Sequence, residues 1–199
     1  MGGKTAQIGF YYQNLYTTLQ ILQVLKSGKV LSVKIEQNIE GGSGKEIDII
    51  IEFEGDNFNF YEIKSGQHFK NSPKDIMSTI KKFYMVHSRK NPDAQYKYFL
   101  IVNPELQAPI LEIMLTLQKI IDKKRGHKKI ARRLAAQWRI PQADLLWETL
   151  QNTRIRNEND LQKLEMLCHA EIRKIIEYLV INADHGIQIR DLLNRLVTY

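Results

Sequence analysis

The run Tyr96-Lys97-Tyr98-Phe99-Leu100-Ile101-Val102 constrains the fold more than any other segment. From Tyr98 onward it offers water nothing on either side of an extended chain, so a strand built from it must be covered on both faces. Such a strand lies inside a sheet with helices packed above and below, which makes the chain an α/β protein. Apolar types form 43% of its 199 residues. That is enough for one large domain, or for a core with an appended bundle.

The segments before this strand supply the layers it needs. Ile8, Tyr12, Leu15, Leu19 and Leu22 recur at helical spacing, predicting a helix over 8–26 that Ser27-Gly28 ends. Residues 30–39 alternate apolar and polar side chains, as a half-buried strand does. Two further strands are expected over 47–54 and 58–64, joined by a tight turn at Gly55-Asp56-Asn57. Ser72 caps and Pro73 opens a second helix, which Ile76, Ile80, Phe83, Tyr84 and His87 carry toward Asn91-Pro92. The order is helix, three strands, helix, strand: an αβββαβ core over residues 1–104.

Beyond Pro104 no segment reads as a strand. Residues 110–123, 128–138, 143–151 and 160–181 have helical spacing, and a short helix is expected over 189–196. An all-helical C-terminal region over 105–199 is therefore expected. Its longest helix carries a nearly heptad stripe (Leu161, Leu164, Cys168, Ile172, Ile175, Leu179), a candidate surface for self-association.

Several classes are excluded at this level. The one cysteine, Cys168, cannot form an intrachain disulfide and reads as core, and no Cys/His cluster offers a zinc site. The apolar stretches are too short to span a bilayer, and no signal peptide opens the chain. Met1-Gly2 lacks the Ser or Thr at position 6 that N-myristoylation expects, since Ala6 stands there. A cytoplasmic protein without a membrane partner is the expectation.

The chemistry is concentrated in Lys45-Glu46-Ile47-Asp48-Ile49-Ile50-Ile51 and Tyr61-Glu62-Ile63-Lys64. Period-2 geometry places Glu62 and Lys64 on one face of their strand. Two carboxylates brought together repel, and a hard divalent cation relieves the repulsion. A water polarised by such a cation can attack a phosphodiester, and a neighbouring ammonium can orient it or offset charge on the phosphorus. Register decides whether the groups meet. A two-residue turn puts Asp48 and Glu62 on opposite faces. A three-residue turn at Gly55-Asp56-Asn57 pairs Glu54 with Phe58, Ile50 with Glu62 and Asp48 with Lys64, all on one face. The odd-length connection is predicted, with Asn57 in the left-handed conformation.

Asp48…Glu62-Ile63-Lys64 within that element order resembles the PD-(D/E)XK nuclease superfamily, a restriction-endonuclease-like fold. With Gly2-Gly3 and Gly9-Phe10-Tyr11-Tyr12-Gln13, the chain resembles the double-stranded DNA endonuclease domain fused to SAVED sensors in bacterial cyclic-oligonucleotide (CBASS-type) antiphage defence. The motifs span residues 2–66, and the element order extends the likeness to about 103. The resemblance implies Mg²⁺, or Mn²⁺, on Asp48, Glu62 and the Ile63 carbonyl. It makes Lys64 the catalytic lysine and lets Gln13 face the site from the first helix. Related nucleases often carry Gln in the place of Glu62; glutamate adds charge for the metal. No SAVED-like segment follows, so a sensor is expected as a separate protein or as a part outside this chain.

Charge is placed unevenly. The chain carries +7, and residues 119–139 hold nine Lys/Arg against the single acid Asp122, more than the whole net charge. Lys124, Arg125, Lys128, Lys129, Arg132 and Arg133 form a basic stripe suited to phosphates and not to base reading, with double-stranded DNA as the expected partner. Cutting two strands favours two active sites, hence a homo-oligomer, dimer or larger. Glu36, Glu46, His68 and His127 read as bystanders or, for His127, a phosphate contact. The alternatives are an inactive nucleic-acid-binding or assembly subunit, and a repair or junction-resolving nuclease.

Overall fold

The computed structural model describes residues 2–25, 29–38, 46–64, 73–102, 115, 117–122, 127–157 and 160–182. The elements are α1 (Gly2–Leu25), β1 (Val30–Asn38), β2 (Glu46–Phe53), β3 (Asn57–Lys64), α2 (Pro73–His87), β4 (Gln95–Val102), α3 (His127–Trp138), α4 (Ala143–Gln151), β5 (Thr153–Asn157) and α5 (Leu161–Asn182). Residues 117–121 are also helical. The expected helix at 189–196 lies outside the described residues.

One mixed sheet holds the strands in the order β1-β2-β3-β4-β5. β1, β2 and β3 are antiparallel neighbours, while β3, β4 and β5 run parallel. As its apolar run requires, β4 feeds two cores. Tyr98, Leu100 and Val102 pack with Ile80 and Phe83 of α2, Leu134 of α3 and Leu146 and Leu150 of α4. Phe99 and Ile101 pack with Tyr12, Tyr16 and Leu19 of α1 and with Leu164 and Cys168 of α5. Full burial of a side chain such as Phe83 contributes about 1.5–3 kcal/mol, so the two interfaces dominate the stability.

The expectation of an all-helical region after residue 104 is corrected by β5. It pairs with β4 from Tyr98↔Thr153 to Val102↔Asn157. Its sequence, TRIRN, has one apolar side chain, so its own periodicity is uninformative. What makes it a strand is the free edge of β4, aided by the Thr153 hydroxyl bonded to the Thr149 carbonyl at 2.7 Å and Arg156 over the Phe99 ring at 4.7 Å. The stripe on α5 is also partly used within the chain. Leu164 and Cys168 are buried against α1, while Met166 and Ile172 stay exposed.

The β2–β3 connection has the expected odd length but is placed differently. Glu54-Gly55-Asp56 form the turn, so Phe53 pairs with Asn57 and Ile50 with Phe60, not Glu62. Gly55 (φ +72°) and Asp56 (φ +55°) take the left-handed positions predicted for Asn57. The Asn57 amide instead opens β3 and donates to the Glu54 and Gly55 carbonyls at 2.9 and 3.0 Å. Parity survives, but the proposed pairing of Asp48 with Lys64 does not.

Candidate functional site

β2 pairs with β3 from Ile49↔Tyr61 to the turn. Beyond Ile49 a side chain takes over. Asp48 Oδ2 accepts the Ile63 N–H at 2.6 Å, and Asp48 Oδ1 accepts the Gln13 amide from α1 at 3.2 Å. Core membership shows the same change: Ile49 and Ile51 pack in the α1 layer, but Ile47 packs in the α2 layer. Alternation therefore breaks at Asp48, and its carboxylate sits at the end of the sheet where both helical layers reach it.

Glu62 lies opposite this break and is fully buried. Its Oε1 accepts Lys64 Nζ from the same strand and Lys82 Nζ from α2, each at 2.5 Å. Lys82 Nζ also donates to the Glu46 carbonyl at 2.9 Å. Among the described residues Glu62 Oε2 is buried with no hydrogen-bond partner. A buried carboxylate oxygen left unbonded is costly, and native structures keep few of them without a use.

The electrostatics run the same way. Burial, and next the negative charge of Glu62, push Asp48 up to about 6 from an ordinary 3.8, against the opposing Ile63 N–H, Lys64 and Lys82. Two carboxylates held near each other thus disfavour their joint ionisation. A hard divalent cation suits what is present: one unbonded buried oxygen, a second carboxylate, and charge repulsion to relieve. Among the described residues no group of three or more His, Cys, Asp or Glu side chains could hold a metal. The side-chain donors here are therefore two. The Ile63 N–H is given to Asp48 Oδ2, which fixes that carboxylate against β3.

Asp48, Glu62, Lys64 and Gln13 are brought together. Lys128, Lys129, Arg132 and Arg133 are exposed on α3, whose Ala131, Leu134 and Ala135 face the core. Lys124, Arg125 and His68 lie outside the described residues, and His127 opens α3. Glu36 is exposed on β1, and Glu46 contributes its backbone carbonyl. Cys168 is buried, with Sγ 3.4 Å from the Leu15 carbonyl. Sequence reasoning missed Lys82. Its signal is position: it flanks the α2 stripe of Ile76, Ile80 and Phe83, where a side chain lies half under the sheet's end. A cleft lined by Lys29, Phe53, Asn57, Phe58 and Lys97 opens at the hairpin end and includes none of the clustered residues.

No family model and no curated protein sequence matches the chain. Solved structures share its fold. The Acinetobacter baumannii Cap4 SAVED/CARF-domain containing receptor superposes with a TM-score of 0.55 at 15% identity, over 93% of this chain and 40% of that one. The same receptor with the cyclic trinucleotide 3'3'3'-cAAA gives 0.55 at 15%, over 93% and 38%. With 2'3'3'-cAAA it gives 0.53 at 14%, over 93% and 38%. The chain thus spans about two fifths of the length of the chains it resembles.

Proposed function

We propose that the chain is a metal-dependent endonuclease domain that cuts double-stranded DNA, an antiphage-defence effector governed by a sensor. The observation that carries this reading is the unbonded, buried Glu62 Oε2 beside an Asp48 whose charge the same site disfavours. A binding module has no use for two repelling carboxylates next to DNA. Likeness to a receptor whose structures include cyclic trinucleotides supports the defence setting, and this chain spans about two fifths of that receptor's length.

Asp48, Glu62 and the Ile63 carbonyl would hold Mg²⁺ or Mn²⁺, with Gln13 and the Ile63 N–H fixing the Asp48 carboxylate. A divalent cation there would supply Lewis acidity and a more acidic water. The Lys64 ammonium offsets negative charge at the phosphorus as the water oxygen bonds to it and one P–O ester bond breaks. The products are a phosphate monoester and a sugar hydroxyl, which takes up the proton. Lys128, Lys129, Arg132 and Arg133 would track the backbone without reading bases. The helical elements after β4 are the proposed site of self-association.

Supercoiled plasmid incubated with Mg²⁺ or Mn²⁺, at protein concentrations that drive self-association, tests the reading. Nicking and linearisation by the wild type, lost in Lys64→Ala, is the expected result. DNA binding without cleavage under every metal condition overturns it in favour of an inactive binding subunit.

A further inference from the structure

Two ammonium groups meet on one oxygen of Glu62, and they are not equivalent. Lys82 Nζ is tied twice, to Glu62 Oε1 and to the Glu46 carbonyl, and its side chain is 17% exposed. Lys64 Nζ has Glu62 as its partner among the described contacts and is 27% exposed. Lys82 also sits between Ile80 and Phe83, both fully buried, so its backbone is anchored in the α2 layer.

We propose that Lys82 is the positioning residue of this site: it holds Glu62 and the start of β2 in place, so that Lys64 can leave Glu62 for a substrate phosphate. The inference rests on the nuclease reading and adds a division of labour to it. A buried carboxylate that loses its last counter-ion is strongly unfavourable. With Lys82 in place, Lys64 departs and Glu62 keeps a cation on Oε1. Without Lys82, Lys64 becomes that sole counter-ion and is held back from the substrate. Oε1 is committed in both cases, and Oε2 remains the oxygen available to a ligand.

The test uses the full chain and two readouts. The first is thermal unfolding in EDTA of Lys82→Met, Lys64→Met and Glu62→Gln, with the corresponding double variants. Lys82→Met should lower Tm by about 3–8 °C, Lys64→Met by less than half of that. Most of the Lys82→Met effect should vanish in the Glu62→Gln background, and Lys82→Arg should sit near the wild type. If Lys82→Met alone fails to fold, adding Glu62→Gln must restore folding. The second readout is plasmid cleavage, where Lys82→Met lowers kcat about 10–100-fold with KM for DNA within about twofold, and Lys82→Arg recovers most of the rate. Equal Tm losses at the two lysines, an undiminished loss in the Glu62→Gln background, or raised KM at constant kcat each overturn the proposal. Absence of cleavage by the wild type refutes the nuclease reading, whereas the unfolding cycle still decides whether Lys82 holds Glu62.

Discussion

Helix α2 carries two buried polar clusters, and they are built on opposite principles. At its last residue His87 is 1% exposed, with Nδ1 3.0 Å from the Tyr98 hydroxyl and Nε2 3.4 Å from Glu148 Oε2. A carboxylate cannot donate, so the neutral ring places its proton on Nε2 and leaves Nδ1 to accept from Tyr98. Every group there has a partner, and the Tyr98 ring stacks on Phe60 and Phe83 at 5.4 and 5.0 Å. Five residues earlier, Lys82 joins a cluster where one carboxylate oxygen has no partner among the described residues and the neighbouring acid resists ionisation. A satisfied network fastens a core. A network with one unpartnered oxygen is, on the proposed reading, arranged for a cation that arrives.

The sharpest way to break this comparison is to disable each cluster in turn and measure cleavage per folded molecule. Asp48→Asn and Lys64→Ala should each lower plasmid cleavage by about 10³-fold or more, as expected for groups acting on developing charge. His87→Leu should leave it within about twofold once folded fraction is measured by circular dichroism. A His87→Leu loss equal to that of Asp48→Asn would erase the distinction.

How much of this was legible follows from which residues carry the signal. The β4 run announced two covered faces because its side chains have no alternative, and Asp48, Glu62 and Lys64 stood out as charges in apolar surroundings, while Gln13 entered only through the family resemblance. β5 was illegible because Thr153-Arg154-Ile155-Arg156-Asn157 becomes a strand through the edge of β4, a partner some fifty residues away. The hairpin register was legible in parity only. Which residues take positive φ was settled by Asn57 bonding two carbonyls, and several neighbours could have filled those positions. Lys82 was hidden because a lysine at the margin of a helix stripe looks like any surface lysine until a buried acid is set against it.

Stability should separate the clusters in sign. Asp48 is pushed up to about 6, so between pH 4 and 6 the folded chain binds more protons at this group than the unfolded chain, and stability falls as pH rises through that window. In EDTA, Asp48→Asn should remove that slope together with the repulsion from Glu62, while giving up one of the two acceptor oxygens that Gln13 and the Ile63 N–H use. Burial holds the His87 imidazole below its ordinary 6.5, so the unfolded chain takes up a proton first as pH falls. Its contribution is present above that value and lost on acidification, the opposite slope. At neutral pH His87→Leu should cost about 1–3 kcal/mol by stranding the Tyr98 hydroxyl. Urea unfolding at a series of pH values checks all of these, and slopes of one sign at both clusters would contradict the contrast.

The smallest expected effect sharpens the comparison further. Glu148 makes the same kind of contact with His87 and Lys90 that Glu62 makes with its lysines, at 3.4 and 3.9 Å, but its side chain is 55% exposed. Water screens it, and Gln still offers an oxygen to His87 Nε2–H. Glu148→Gln should change neutral-pH stability by less than about 0.5 kcal/mol. It also removes an interaction that raises the His87 value, so the acid-labile window should widen toward lower pH. The test is urea unfolding at pH 7 and near pH 5. A loss at pH 7 as large as that of His87→Leu would mean that the carboxylate, and not the Tyr98 hydroxyl, anchors this cluster. The two clusters on α2 would then both rest on a carboxylate, and partner satisfaction would no longer tell the site from the core.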